Sequence, residues 1–250
     1  MWYSLILVVV VIGLSVWQKL HLEKDLIVGS VRAFIQLIAI GYILEFIFDL
    51  NKIYYTLLVI LVMSLVGAQT SYGRSKKLPG GFIIAWISIF AGALVSLGFL
   101  IAVREIEVSP RYLIPLAGIV IGNAVKAGSL SFDRARAEIN NNKERIEVLL
   151  SLGAEAKAAY HTLAVSCVRS ALIPTIDTLK IVGLIQLPGA MTGMILVGAS
   201  PIEAVKFQII ILYMLTCSSA VTAAMIVLLS MKKFFNRYNQ LDYKLIDTGI

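Results

Sequence analysis

The chain has 250 residues, 59% of them apolar and only 15% charged, with a mean hydropathy of +0.88. That balance excludes an ordinary soluble domain and predicts a polytopic membrane protein. In such a chain a formal net charge of +7 reports orientation across the bilayer, not nucleic-acid binding.

Runs long enough to cross a bilayer are expected at about Trp2–Trp17, Leu26–Phe48, Ile53–Tyr72, Phe82–Val103, Tyr112–Leu130, Ile181–Ala199 and Ala204–Met231. The fold class is therefore all-α, a single transmembrane domain over residues 1–250 with about seven transmembrane helices. The first run lacks a basic n-region and a small-residue cleavage site, so it reads as a retained span and not a signal peptide. Assigning alternate sides to the loops splits the Lys and Arg residues 18 against 4. Under the positive-inside rule the N-terminus is outside and the C-terminus in the cytosol.

The interval from Ser131 to Thr178 is the only sizeable polar stretch. Phe132, Ala135, Ile139, Ile146 and Leu150 recur at helical spacing among Arg134, Arg136, Glu138, Glu144, Arg145 and Glu147, which predicts an amphipathic helix running on into the cytosol. Asn140–Asn142 can interrupt it, because Asn competes with the helix for hydrogen bonds. Gly153 can end one helix, and the alanine-rich segment after it can start another. The result is a cytosolic elbow, expected to end at Pro174 where the sixth span begins.

Pro188-Gly189-Ala190-Met191-Thr192-Gly193-Met194 through Gly198-Ala199-Ser200-Pro201 is the least ordinary apolar stretch. Pro188 removes a donor and should kink or break a helix. Gly189 and Gly193 form a G-x-x-x-G pair that lets another backbone come close. The stretch reads either as a mobile gate of a transporter or as a tightly packed membrane helix.

Hydrolytic and metalloprotease motifs are absent, and so is the G-x-x-x-x-G-K-[ST] phosphate loop. A nucleotide-driven activity needs another chain to bind the nucleotide. Cys167 and Cys217 have no Cys or His partner at metal-ligand spacing and read as free buried thiols. His21 and His161 read as solvated or interfacial. Within the spans, Arg32 and Gln36 lie one turn apart and Glu45 stands further along the same run. Asn123 and Lys126 interrupt another run. Intramembrane polar groups mark aqueous paths, although Arg32 and Lys126 are near enough to the expected cytosolic ends to snorkel. Met191, Met194, Thr192, Glu203 and Gln208 supply sulfur and oxygen around the glycine-rich stretch. Met191, Met194 and Glu203 are weak metal-ligand candidates, packing methionines and a solvated acid being the plainer alternative.

Glu147-Val148-Leu149-Leu150-Ser151-Leu152-Gly153, followed by Ala154 and Glu155, partly matches the E-A-A-x-x-x-G loop of ABC-type permeases, although Pro174 lies further downstream than in the importer version. Together with Val31–Leu37 and Gly41, Pro115–Gly118 through Ala124, and Val182–Gly189 through Pro201 with Gln208 beyond, it makes nearly the whole chain resemble the FetB-type permeases of ABC transporters. The family is described as bacterial iron exporters with plant relatives linked to aluminium tolerance. The resemblance implies a homodimer in the inner (plasma) membrane, working with two copies of a separate ATPase that binds ATP and Mg. It also implies export of a metal ion, iron first, by alternating access. Glu147, Leu152, Gly153, Ala154 and Glu155 would couple to the ATPase. Pro188, Gly189, Gly193, Gly198 and Pro201 would form the gate. Arg32, Gln36, Glu45, Asn123, Met191, Thr192, Met194 and Gln208 would line the path. No catalytic residue, cofactor or nucleic-acid partner is expected in this chain. Ala190, Met194 and Asp177 depart from the family's usual methionine, glutamine and asparagine, so permease is better supported than iron. A stand-alone ion-coupled transporter or channel, or a membrane scaffold or sensor, are the alternatives.

Overall fold

The structure is a computed structural model that describes residues 5–19, 22–50, 52–73, 78–236 and 240–243. His21, Arg74, Lys76, Lys77, Arg237 and Lys244, used above, lie outside the described residues, as does the start of the first expected span. The described residues are helical apart from turns and two isolated bridges. They fall into two compact units, Met1–Lys52 and Ile53–Ile250.

The first unit holds α1 (Leu5–Trp17) and α2 (Glu23–Leu50). Ser15 Oγ donates to Glu23 Oε1 at 2.9 Å and accepts from the Leu22 backbone at 3.2 Å, which fixes the turn between them. With 13 residues, α1 is about 20 Å long and falls short of a bilayer core of about 30 Å. α2 meets the length and apolarity of a span from Leu26 to Leu50.

The second unit contains α3 (Ile53–Tyr72), α4 (Gly81–Ala102), α5 (Pro110–Asn141), α6 (Lys143–Ser151), α7 (Ala156–Ile181), α8 (Gly189–Leu196) and α9 (Pro201–Lys233). α5 and α9 form its centre: α5 packs on α3, α4, α7 and α9, and α9 on α4, α5, α7 and α8. Small residues set the closeness of these contacts. A Cβ on Gly92 would lie 2.4 Å from Thr222 Oγ1 and 2.7 Å from the Ser218 carbonyl oxygen. One on Gly67 would lie 2.7 Å from Val125 Cγ2, and one on Gly128 2.8 Å from Ile226 Cδ1. Across the same α4–α9 contact, Thr222 Oγ1 donates to the Ser88 carbonyl at 3.2 Å. Small residues and interhelical hydrogen bonds are how helices associate where water supplies no hydrophobic drive.

Six described helices, α2, α3, α4, α5, α7 and α9, are long and apolar enough to cross a membrane, against the seven spans expected. The second difference is larger. The expected span Ile181–Ala199 does not exist; α7 takes its place, starting where the sequence predicted a soluble elbow and carrying Pro174 inside the helix. Gly183 at φ 82° and Pro188 at the N-cap of α8 interrupt the apolar run, leaving only an eight-residue helix. In α7 the buried face is four alanines with Tyr160, Leu163 and Cys167, and the polar residues between them lower the hydropathy enough to hide a span from a reader of composition. Cys167 is a free buried thiol as expected, whereas Cys217, expected to be buried, is exposed.

The rest of the elbow follows the expectation. Phe132, Ala135, Ile139 and Ile146 are buried on one face. α5 ends at Asn141, and Asn142 Nδ2 caps the end by donating to the Glu138 carbonyl at 2.9 Å.

Candidate functional site

A cavity of about 180 Å³ lies between α5, α7 and α9. Asn123 and Lys126 come to it from α5, Pro174, Thr175 and Thr178 from α7, and Thr216 from α9, on an apolar background that includes Ala127, Leu212 and Leu215. The volume is that of a small solute and not of one trapped water.

Helical periodicity delivers these groups. On α5, Asn123 and Lys126 are three residues apart, and on α7, Pro174 and Thr178 are four apart, so each pair shares a face. On α9, Gln208, Leu212, Leu215, Thr216 and Ser219 recur as a single stripe. Asn123 Nδ2 donates to Ser219 Oγ at 2.7 Å and, more weakly, to the Leu215 carbonyl at 3.5 Å. Its Oδ1 is left to accept. Thr178 Oγ1 donates to the Pro174 carbonyl and Thr216 Oγ1 to the Leu212 carbonyl, both at 2.8 Å. Each therefore keeps lone pairs available to a ligand. One turn along from Leu212, Gln208 is buried, and its Oε1 has no hydrogen-bond partner among the described residues. A buried unpaired amide oxygen in an apolar setting is costly.

Pro174 has a mechanical consequence. It cannot donate to the carbonyl four residues earlier, that of Ser170, so α7 is weakened where it lines the cavity. At the far end of α7 stands the elbow. α6 closes in a Schellman motif: Gly153, at φ 87°, donates to the Leu150 carbonyl and Ala154 to the Leu149 carbonyl, both at 3.0 Å. Glu147, Leu152, Gly153 and Glu155 are exposed and Ala154 partly so, with Leu152 78% exposed. α7 begins one residue after Glu155. The elbow and the cavity are thus two ends of one helix.

The other predicted site residues are distributed differently. Arg32, Gln36 and Glu45 are exposed on α2, in the first unit. Met191, Thr192 and Met194 are half-buried on α8, and Glu203 is exposed in the first turn of α9, where its backbone N–H donates to Ser200 Oγ at 3.2 Å. None of the four lines the α5–α7–α9 cavity. Among the described residues no three or more of His, Cys, Asp and Glu are grouped to hold a metal ion. Gly189 and Gly193 have no atom within 4 Å of an added Cβ, so the close approach expected of that pair is made instead at Gly67, Gly92 and Gly128. Gly198, at φ 98°, ends α8 in a second Schellman motif, and Pro201 is the first residue of α9. Sequence reasoning missed Thr175, Thr178, Thr216 and Ser219. The stripe on α9 was the signal that could have found the last two.

A model of the uncharacterised protein family UPF0014 matches residues 1–235. The chain belongs to the UPF0014 family. It is 39% identical over 238 residues to the "Probable iron export permease protein FetB" of Escherichia coli K12, covering 95% of this chain and 92% of that protein. It is 38% identical to "UPF0014 membrane protein STAR2" of Oryza sativa subsp. japonica, over 94% of this chain and 82% of that one. To "Protein ALUMINUM SENSITIVE 3" of Arabidopsis thaliana it is 35% identical, over 96% and 88%. No solved structure matches the chain. This UPF0014 member is a multi-pass membrane protein.

The electrostatics of the cavity narrow what it can hold. Among the described residues, Lys126 is its one ionisable lining group and no carboxylate lines it. A bare divalent cation in the cavity would meet the like charge of the Lys126 ammonium.

Proposed function

We propose that this UPF0014 protein is the permease subunit of an ATP-driven ABC transporter in the inner (plasma) membrane, exporting a metal ion, iron first, by alternating access. The permease name of its Escherichia coli relative supports the transport role and the choice of iron. The observation that carries the coupling is the continuity of an exposed, Schellman-capped elbow with α7, whose Pro174 lines the polar cavity. A partner ATPase, supplying ATP and Mg, would grip Glu147 to Glu155. Displacement of the elbow would then swing α7 about Pro174 and alter the cavity. Two ATPases closing as a pair call for two copies of this chain.

Loop charge supports placing the elbow in the cytosol. With α7 as a span, Lys180 changes sides and Arg32, Lys126 and Arg169 fall within spans, so the remaining Lys and Arg divide 14 against 5 with the elbow on the richer side. The test is co-purification with the ATPase and flux from sealed vesicles. ATP-dependent efflux of iron is expected only when both chains are present; equal flux driven by an ion gradient without ATPase would instead make it a stand-alone transporter.

A further inference from the structure

We propose that the α5–α7–α9 cavity recognises an oxyanion, so that a metal cargo crosses as an anionic oxygen-ligand complex and not as a bare cation. This deepens, and rests on, the permease reading above. The cavity has a positive group and no negative one: Lys126 lines it, has no carboxylate partner among the described residues, and is accompanied by no acidic lining residue. Thr175 lines the same cavity with a hydroxyl that makes no hydrogen bond among the described residues. Ammonium and hydroxyl together are donors suited to a carboxylate or phosphate oxygen. The remaining polar groups complement that choice. Asn123 Oδ1 and the lone pairs of Thr178 Oγ1 and Thr216 Oγ1 accept, because the protons of all three side chains are committed within the bundle. The ligand that satisfies both sets carries a negative oxygen at one end and hydroxyls or coordinated waters at the other. A hydroxycarboxylate or its ferric complex has that pattern. A naked ferrous ion has the acceptors but meets an unopposed ammonium, and low-dielectric surroundings strengthen that repulsion.

An anionic lipid headgroup presents the same oxygens, so the experiment separates the two sources. Full-length protein without ATPase is placed in nanodiscs of purely zwitterionic lipid and titrated calorimetrically with citrate, with one-to-one ferric citrate and with ferrous ion alone. Citrate and ferric citrate are expected to bind, and ferrous ion to give no saturable heat. Lys126→Met should weaken citrate by about tenfold or more through loss of a charge-assisted hydrogen bond, whereas Lys126→Arg keeps the charge and should stay within about threefold. Saturable ferrous binding to the wild type, or no citrate binding, overturns the proposal without reliance on any variant. In nanodiscs containing anionic lipid, unchanged citrate affinity supports a solute site, and abolished citrate binding overturns the cargo assignment in favour of a headgroup. No ATPase takes part, so failure here and failure of ATP coupling are told apart.

Discussion

Asn123 on α5 and Ser219 on α9 are 96 positions apart in sequence, yet their side chains meet at 2.7 Å beside the polar cavity. The bond sets the spacing of two central helices and points Asn123 Oδ1 away from its own donors. Asn123→Leu removes the bond and leaves Ser219 without its donor. The expected cost is about 1 kcal/mol, typical of interhelical hydrogen bonds in membrane bundles. Thermal unfolding in detergent should show a small drop, and transport should fall by more than that drop explains.

Glycines should separate into two classes. Gly92→Val forces a side chain against Thr222 Oγ1 and the Ser218 backbone, and overpacking of this kind costs about 1–3 kcal/mol. A Cβ added at Gly189 or Gly193 meets no neighbour within 4 Å, so Gly189→Ala should keep the melting temperature and Gly193→Leu should lower it less than Gly92→Val does. Any loss of transport in Gly193→Leu would then come from contact with a second copy, read out by cross-linking or by mass in detergent.

Gly153 occupies the left-handed region at φ 87°, where a side chain costs about 1–2 kcal/mol. Gly153→Val should therefore distort the elbow while the α5–α9 centre stays folded. Proteolysis near residues 151–156 is expected to increase, with little change in the melting temperature of the whole domain.

Pro174→Ala restores a backbone donor to the middle of α7. Helix strength should rise and α7 should stiffen where it lines the cavity. The expected phenotype is unchanged binding of the ATPase with slower transport per ATP. Normal transport in that variant would remove Pro174 from the mechanism.

How far the sequence disclosed this arrangement depends on where hydrophobicity was concentrated. α3 was legible to the residue, Ile53 to Tyr72, because leucine and valine fill it. The buried face of Phe132, Ala135, Ile139 and Ile146 was legible because charges separate its members. α7 was not: Lys157, Arg169, Asp177 and Lys180 lie in a span whose packing rests on small residues. Ile181–Ala199 misled in the opposite sense, since hydropathy does not register what Gly183 and Pro188 do to a helix. Within the site, Asn123 stood out as a polar residue in an apolar run. Thr175, Thr178 and Thr216 did not, because a threonine inside a helix is common and only tertiary placement makes three of them converge.

The central claim is that the elbow receives force from an ATPase and passes it along α7. The most direct measurement is the ATP hydrolysis rate of the co-purified ATPase with wild-type protein and with the Gly153→Val, Glu155→Lys double variant. The account predicts that wild-type protein changes the rate and that the double variant, though folded and present in the membrane, leaves the ATPase at its rate alone. Full coupling in the double variant would contradict it.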